Sequence, residues 1–177
     1  LIHEISAARW LAIPIGADAP ALAAVLTALL LGFALGGAAA GFVLSRGYQA
    51  KHFAILIELA LAACALLAPF TFSSVEPLIA RGAVAFGLGT PGFTVYRFSI
   101  ALLTCLPAAV LMGATFPVAL RLARACGLAS HDAAGTTYAS NTLGAAIGAG
   151  ACGFVLLPLT GYLGAVVAGC AMSLLSA

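Results

Sequence analysis

The stretch PALAAVLTALLLGFALGGAAAGFVL, Pro20–Leu44, decides the fold, because it contains no charged side chain over its whole length. About 20 consecutive apolar residues are enough for an α-helix to cross the hydrocarbon core of a bilayer. In lipid every backbone polar group has to be paired within the protein, which leaves helices as the structure for such a segment. A proline at its start suits the first helical turn, where the missing N–H costs nothing. We therefore predict a membrane-spanning helix here.

The composition of the whole chain extends this prediction. Of its 177 residues, 64% are hydrophobic and 7% are charged, and its mean hydropathy is +1.19. Soluble domains carry about 25% charged residues. The chain therefore has the composition of an integral membrane protein with the lipid bilayer as its first partner. Its net charge of +2 is spread over dispersed Lys and Arg residues, so no nucleic-acid partner is expected.

Apolar runs predict an all-α, polytopic transmembrane bundle of about six spans that forms a single domain over residues 1–177. The expected helices are a partial first one over Leu1–Ile15, then Pro20–Leu44, His52–Phe72, Phe98–Arg121, Thr137–Leu157 and Gly161 to the end. The sequence PLTG, Pro158–Gly161, is interpreted as a tight turn between two spans. The short first run and the absence of a polar flank at the end suggest a domain truncated at both ends.

Basic residues in the predicted loops indicate the orientation. Loops on one side hold four of them, Arg46, Lys51, Arg121 and Arg124, whereas the alternating loop over Ser73–Arg97 holds Arg81 and Arg97 with Glu76. Cytoplasmic loops of membrane proteins carry the excess of Lys and Arg. We therefore expect the first set of loops to be cytoplasmic.

Two segments resemble each other at a constant offset. LGFALGGAAAGFVL, Leu31–Leu44, and LGAAIGAGACGFVL, Leu143–Leu156, agree at nine of fourteen positions. Chance agreement is high in a sequence so rich in Ala, Gly and Leu, so homology and coincidence both remain open. If the repeat is real, three spans separate the copies, which is the pattern of a 3+3 inverted repeat.

Ionisable residues inside spans are costly and usually face a partner or water. The candidates are His3, Glu4 and Arg9 in the first helix and Glu58 in the third. One interpretation is a polar pocket for a cationic solute, or a proton path. The other is a buried ion pair, for example between Arg9 and Glu58, that fixes helix register. The second is favoured, because no second acid accompanies either Glu to form a relay.

Small residues spaced four apart let helix backbones approach closely in lipid. The predicted helix-packing positions are Gly32, Gly36, Gly37, Gly41, Gly144, Gly148 and Gly153. Asn141 shares a helix face with Ala145 and Gly148 and is expected to bond across an interface or to cap a helix. Pro117 deprives the Gly113 carbonyl of its helical donor, which predicts a kink that could serve as a gate or only as a shape.

The remaining motifs give no catalytic, cofactor-binding or metal-binding residue. Five cysteines form no CxxC pair, so they are interpreted as small buried hydrophobes. FGLGTPG, Phe86–Gly92, fits GxGxxG, but a dinucleotide site also needs a soluble βαβ unit with an acid about 20 residues further on. We interpret this stretch as a loop, and we expect no cofactor.

Five stretches together resemble the membrane domain of bacterial spermidine synthase-like proteins, in which a transporter-like bundle precedes a cytosolic aminopropyltransferase-type domain. They are LIHEISAARWL, LLLGFALGG, IELALA, LMGATFP and YASNTLGAAIGAGACGFVLLPLTG. The resemblance covers nearly the whole chain in the family's order. Glu4 and Arg9, Glu58 and Asn141 would correspond to the family's polar membrane residues.

This resemblance implies a location in the bacterial inner membrane and a function as membrane anchor or assembly subunit of a polyamine enzyme. Its partner would be another protein or a fused cytosolic domain, which would supply the transferase chemistry. Whether the chain is part of an enzyme is left open, because it carries no catalytic constellation of its own. The alternatives are a carrier for polyamines or related cations, and the membrane part of an aminopropyltransferase whose catalytic domain lies elsewhere.

Overall fold

The structure, a computed structural model, describes Leu11, Ile15, Gly16 and residues 18–176. Its five helices are α1 (Ala19–Ser45), α2 (Ala50–Phe86), α3 (Pro91–Ala125), α4 (Ser130–Ala151) and α5 (Leu157–Ser176), and a π-helical turn over Cys152–Leu156 joins α4 to α5. This part of the chain contains no strand. The predicted all-α class is therefore confirmed for the described residues. His3, Glu4 and Arg9 lie outside them.

Four helical segments are long and apolar enough to cross a membrane: Ala19–Ser45, Ala50–Thr71, Pro91–Ala125 and Ser130–Leu175. The last segment has 46 residues, which as one straight helix would measure about 69 Å, more than twice the hydrocarbon thickness. It is not straight, because Gly161 has non-helical dihedral angles of φ 68° and ψ −169°.

The chain folds back at Gly161. Asn141 and Gly144 of α4 line the same cavity as Met172 and Ser173 of α5, although about 30 residues separate the two pairs. The α5 helix also packs on α2, where the Cys170 Sγ lies 3.6 Å from the carbonyl oxygen of Ala62. The predicted reversal at PLTG therefore exists, but one glycine makes it and the residues around it stay helical.

The core forms around α1 and α3, which run parallel to each other. Gly32 of α1 meets Ala109, Gly36 meets the Val110 carbonyl, and Gly113 of α3 meets the backbone of Phe33, 2.5 Å from where its Cβ would be. Backbones can approach this closely because glycine has no side chain. The shared contacts make α1 and α3 the close-packed centre of the bundle.

The two ends of the bundle differ in charge. Leu44 near the end of α1 and Val118 near the end of α3 belong to one buried cluster with Ile57 of α2. The α1–α2 and α3–α4 connections therefore lie at the same end, which carries the four basic residues predicted to be cytoplasmic. We call it the basic end. Ala21, Ile79 and Phe93 form part of the cluster at the opposite end.

The predicted loop over Ser73–Arg97 is wrong in its length. α2 continues to Phe86, α3 begins at Pro91, and residues 87–90 form the connection. The Tyr96 ring packs on Gly82, and its hydroxyl donates to the Leu78 carbonyl at 3.1 Å. The side chain of Thr90 caps α3 by accepting from the Phe93 N–H at 3.2 Å. This part of the chain is a helical hairpin.

Candidate functional site

A cavity of about 790 Å³ lies between the α1–α3 pair and the α4–α5 pair. We call it the α4 cavity. Its walls come from Phe33 and Gly37 of α1, the 112–117 segment of α3, Tyr138–Gly148 of α4 and Gly169–Ser173 of α5. Cavities of about 300–1,000 Å³ are typical of small-molecule sites. The volume of the α4 cavity lies within this range.

The two sequence motifs LMGATFP and YASNTLGA face each other across this cavity. Gly113 and Pro117 come from the first motif, and Tyr138, Asn141 and Gly144 from the second. No spacing in the sequence could have linked them, because the α3–α4 reversal brings them together. The two motifs, which are far apart in the sequence, therefore line the same cavity.

Asn141 is exposed and lines both the α4 cavity and a smaller neighbouring space of about 470 Å³. We call that space the α4 vestibule. Its walls include the hydroxyl-bearing residues Thr115, Thr136, Thr137 and Ser140. The amide of Asn141 therefore lies where the two spaces meet, rather than in a tight interface between helices.

Pro117 lies inside α3, which remains helical on both sides of it. Since proline has no N–H, the Gly113 carbonyl loses its α-helical donor. The oxygen of that carbonyl lies 3.6 Å from the position of a Cβ on Gly37, and all three residues line the cavity. The proline therefore provides a hydrogen-bond acceptor at the cavity wall.

Glu58 is half-buried in α2 and does not line the α4 cavity, the α4 vestibule or the third space described below. Among the described residues no ion pair or hydrogen bond joins it to another residue. The predicted partner, Arg9, and the other first-helix candidates, His3 and Glu4, fall outside the described residues. The structure thus does not place Glu58 at a common site with Asn141.

The predicted packing glycines divide into two groups. Gly32 and Gly36 are buried against α3, and Gly37 contacts the Gly113 carbonyl. A Cβ added at Gly41, Gly144 or Gly153 would meet no atom within 4 Å. Gly148 is half-buried and lines the α4 cavity. The close-packed glycines are thus Gly32, Gly36 and Gly37 of α1, whereas Gly41, Gly144 and Gly153 border open space.

A third cavity of about 420 Å³ lies between α2, α3 and α5 towards the opposite end of the bundle. Aliphatic side chains such as Leu61, Val75, Leu78 and Ile100 dominate its walls, with Tyr162 of α5. We call it the aliphatic cavity. Its lining offers packing surface and few hydrogen-bonding groups.

An ion pair that sequence reasoning missed lies beside the start of α1. Arg97 of α3 donates to the Asp18 carboxylate at 3.0 Å and to the Ile15 carbonyl at 2.9 Å. Asp18 in turn caps α1 by accepting from the Ala21 N–H at 3.1 Å. The hydrogen bond from Arg97 holds the pKa of Asp18 below its ordinary value. No local sequence pattern predicts an ion pair whose members are 79 residues apart.

Clusters of three or more His, Cys, Asp or Glu side chains able to hold a metal ion are not found among the described residues. Cys105, Cys152 and Cys170 are buried, Cys64 is half-buried, and Cys126 is exposed near the basic end. Residues 87–90 of the GxGxxG stretch form the α2–α3 connection, where Gly87 and Gly89 have positive φ angles of 79° and 77°, and Gly92 lies in the first turn of α3.

No protein-family model, curated protein or solved structure matches this chain.

Proposed function

We propose that the chain is a membrane-embedded helical domain, similar to that of spermidine synthase-like proteins, that anchors or assembles a catalytic partner on the cytoplasmic face. Its membrane would be the bacterial inner membrane. One observation carries the proposal: α5 runs towards the basic end of the bundle, since Tyr162 packs on the opposite-end cluster and Cys170 lies beside Ala62, nearer the start of α2. A soluble domain joined after α5, or docked at this end, would thus lie on the side where Arg46, Lys51, Arg121 and Arg124 are found, which the distribution of basic residues predicts to be cytoplasmic.

The proposed topology has two crossings in the segment Ser130–Leu175 and three in α1, α2 and α3. With the apolar N-terminal run the total becomes six. The opposite directions of α1 and α4 support the 3+3 inverted repeat. The two copies of GFVL differ in backbone, however, since Gly41–Leu44 is α-helical and Gly153–Leu156 lies in the π-helical turn.

Exposed Cys126 provides the topology test. A membrane-impermeant maleimide should label it in inverted membrane vesicles and not in right-side-out cells. The matched control is Leu88→Cys in a Cys126→Ser background, because Leu88 lies in the α2–α3 connection and is 77% exposed. It should show the reverse pattern. Labelling of Cys126 from outside the cell would contradict the orientation.

The anchoring role is tested by purification from native membranes under mild detergent. We expect an assembly heavier than the 17.5 kDa of this chain, with aminopropyl transfer from decarboxylated S-adenosylmethionine to putrescine in the same fraction. Releasing the soluble part by proteolysis should separate the activity from the membrane. A 17.5 kDa species without transferase activity would contradict the proposal.

A second function, transport of a cationic solute, is favoured by Glu58, an acid in a predicted span that is half-buried in α2. In proteoliposomes, a carrier for polyamines should take up radiolabelled spermidine, and Glu58→Gln tests the residue that the sequence singles out. Loss of uptake in this variant with unchanged folding would favour cation transport. Absence of uptake under every imposed gradient would exclude it.

A further inference from the structure

The polar side chains that line the α4 cavity lie towards one end of it. On α4 the residue number rises away from the basic end, and on α5 it rises towards it. Tyr138, Ser140, Asn141 and Ser173 thus lie nearer the basic end, whereas Phe33, Met112, Gly148 and Gly169 lie deeper in the bundle. A molecule that fits this gradient has its polar part near the membrane surface and its apolar part near the middle.

The described lining of the α4 cavity contains no charged side chain. A charged group that leaves water without a partner pays a large desolvation cost. The lining instead offers an amide at Asn141, hydroxyls at Ser140 and Ser173, and thioethers at Met112 and Met172. These groups suit a neutral ligand rather than a polyamine cation or a phosphate.

Two features favour a ligand that carries hydroxyl groups. The Gly113 carbonyl lacks its helical donor because of Pro117, so a ligand hydroxyl can donate to it. The α4 vestibule beyond Asn141 adds the hydroxyls of Thr136 and Thr137. A headgroup that both donates and accepts hydrogen bonds would satisfy the carbonyl, the Asn141 amide and these hydroxyls together.

The bilayer provides access to this space. Asn141 and Gly144 are exposed, and the neighbouring Leu143 and Ile147 are 64% and 69% exposed, as expected of a lipid-facing helix. A lipid could thus enter beside α4 without passing through the packed α1–α3 centre.

We propose that the α4 cavity binds a neutral bilayer lipid with a hydroxyl-bearing headgroup, of the mono- or diacylglycerol class. The headgroup lies against Asn141 and the Gly113 carbonyl, and an acyl chain extends towards Phe33 and Met112. Lipid binding at this site requires neither anchoring nor transport, so its test is independent of both proposed functions.

The test uses a diacylglycerol with a photoreactive diazirine in its acyl chain, and the purified protein in phosphatidylcholine nanodiscs. Mass spectrometry should locate adducts in residues 112–117, 138–148 or 169–173, and excess dioleoylglycerol should suppress them. Dioleoylphosphatidylglycerol and free glycerol should not. Equal suppression by the anionic lipid, suppression by glycerol alone, or adducts spread evenly over the outer faces of α1 and α3 would overturn the proposal.

Matched variants separate the cavity from general lipid contact. Gly144→Phe fills the cavity from a position where a side chain meets no atom within 4 Å, and should reduce labelling about tenfold. Gly150→Phe changes the same helix at a position equally free of contacts but outside the lining, and should label like the wild type. Equal labelling of both variants would exclude the cavity.

The hydrogen-bonding part of the proposal has its own pair of variants. Pro117→Ala returns a donor to the Gly113 carbonyl and should weaken competition by dioleoylglycerol about three- to tenfold. Pro107→Ala, also inside α3, lines the aliphatic cavity instead and should change nothing. Thermal unfolding followed with a thiol-reactive dye at buried Cys105 and Cys152 checks the fold of each variant. Unchanged competition in folded Pro117→Ala would contradict the assigned carbonyl contact.

Discussion

At the scale of single residues, the absence of one methyl group determines how closely α1 and α3 can pack. Gly36 is buried with its missing Cβ directed at the Val110 carbonyl, whereas Gly41, five residues later in the same helix, faces open space. The two glycines look alike in the sequence, since both belong to small-residue pairs. Their difference arises from α3, which passes over one and not over the other.

Gly36→Ala should therefore destabilise the protein by about 1–3 kcal/mol, because the added methyl group forces the two backbones apart. Gly41→Ala should be neutral or stabilising by about 0.5–1 kcal/mol, since alanine is the better helix former. Unfolding in mixed micelles with increasing dodecyl sulfate measures both values. Equal destabilisation by the two changes would contradict the α1–α3 contact.

The Asp18–Arg97 pair makes stability depend on pH. Its hydrogen bond lowers the pKa of Asp18 in the folded protein, so the stabilisation is complete above the unfolded-state pKa, about 3.9, and is lost as the pH falls through the folded-state pKa. Asp18→Asn keeps a good helix cap but removes the charge. Its apparent Tm should be lower than that of the wild type at pH 7, and the difference should shrink as the pH falls below 4.

The matched control for this pair is Glu76→Gln, at an exposed position in α2. It should leave the Tm at pH 7 and its acid dependence close to those of the wild type. A difference between Asp18→Asn and the wild type that stays constant from pH 7 down to pH 3 would show that the ion pair does not cause the stabilisation.

At the scale of elements, the connection between α4 and α5 contains a π-helical turn followed by a reversal of the chain direction. Pro158 has no N–H, and in a regular α-helix its ring would clash with the Phe154 carbonyl. The π-helical turn over Cys152–Leu156, in which the Leu157 N–H bonds to the Cys152 carbonyl, lies directly before this proline. Gly161 then leaves helical geometry with a positive φ.

Gly161→Ala should destabilise the protein by about 1–3 kcal/mol, since L-residues with a side chain rarely adopt a backbone conformation at φ 68° with an extended ψ. Gly153→Ala is the control, because it lies in the preceding turn without a positive φ and has free space for a methyl group. The same unfolding assay applies. Equal stability of Gly161→Ala and the wild type would contradict the assigned reversal.

The helical hairpin of α2 and α3 shows what hydropathy predicts and what it does not. The apolar run predicts a span over His52–Phe72, and the apolar segment Ala50–Thr71 agrees with it. The backbone nevertheless stays helical to Phe86, because Tyr96 packs against Gly82 and the rings of Phe86 and Tyr96 lie 5.5 Å apart. An apolar run indicates which part of a helix lies in lipid, whereas the residue at which the helix ends depends on contacts with residues far away in the sequence.

At the scale of the whole molecule, apolar runs were sufficient for the helical class and for four segments long enough to cross a membrane, whereas the orientation stays a prediction from charge. The candidate site could be predicted only in pieces. Asn141 and Pro117 were identified by their residue types, but their common cavity depends on the α3–α4 and α4–α5 reversals. Glu58 was identified in the same way, and the packing of α2 leaves it outside that cavity.

The chain reverses between α4 and the main part of α5, so that both helices line the α4 cavity opposite α1 and α3. The most direct test is the distance between spin labels at Asn141→Cys and Met172→Cys, in a protein whose native cysteines are replaced by alanine, measured by double electron–electron resonance in nanodiscs. The folded-back arrangement, in which both positions line one cavity, predicts a mean distance far shorter than that of a straight helix. A continuous helix through Gly161 would separate the two positions by about 46 Å, and a distribution centred near that value would contradict the account.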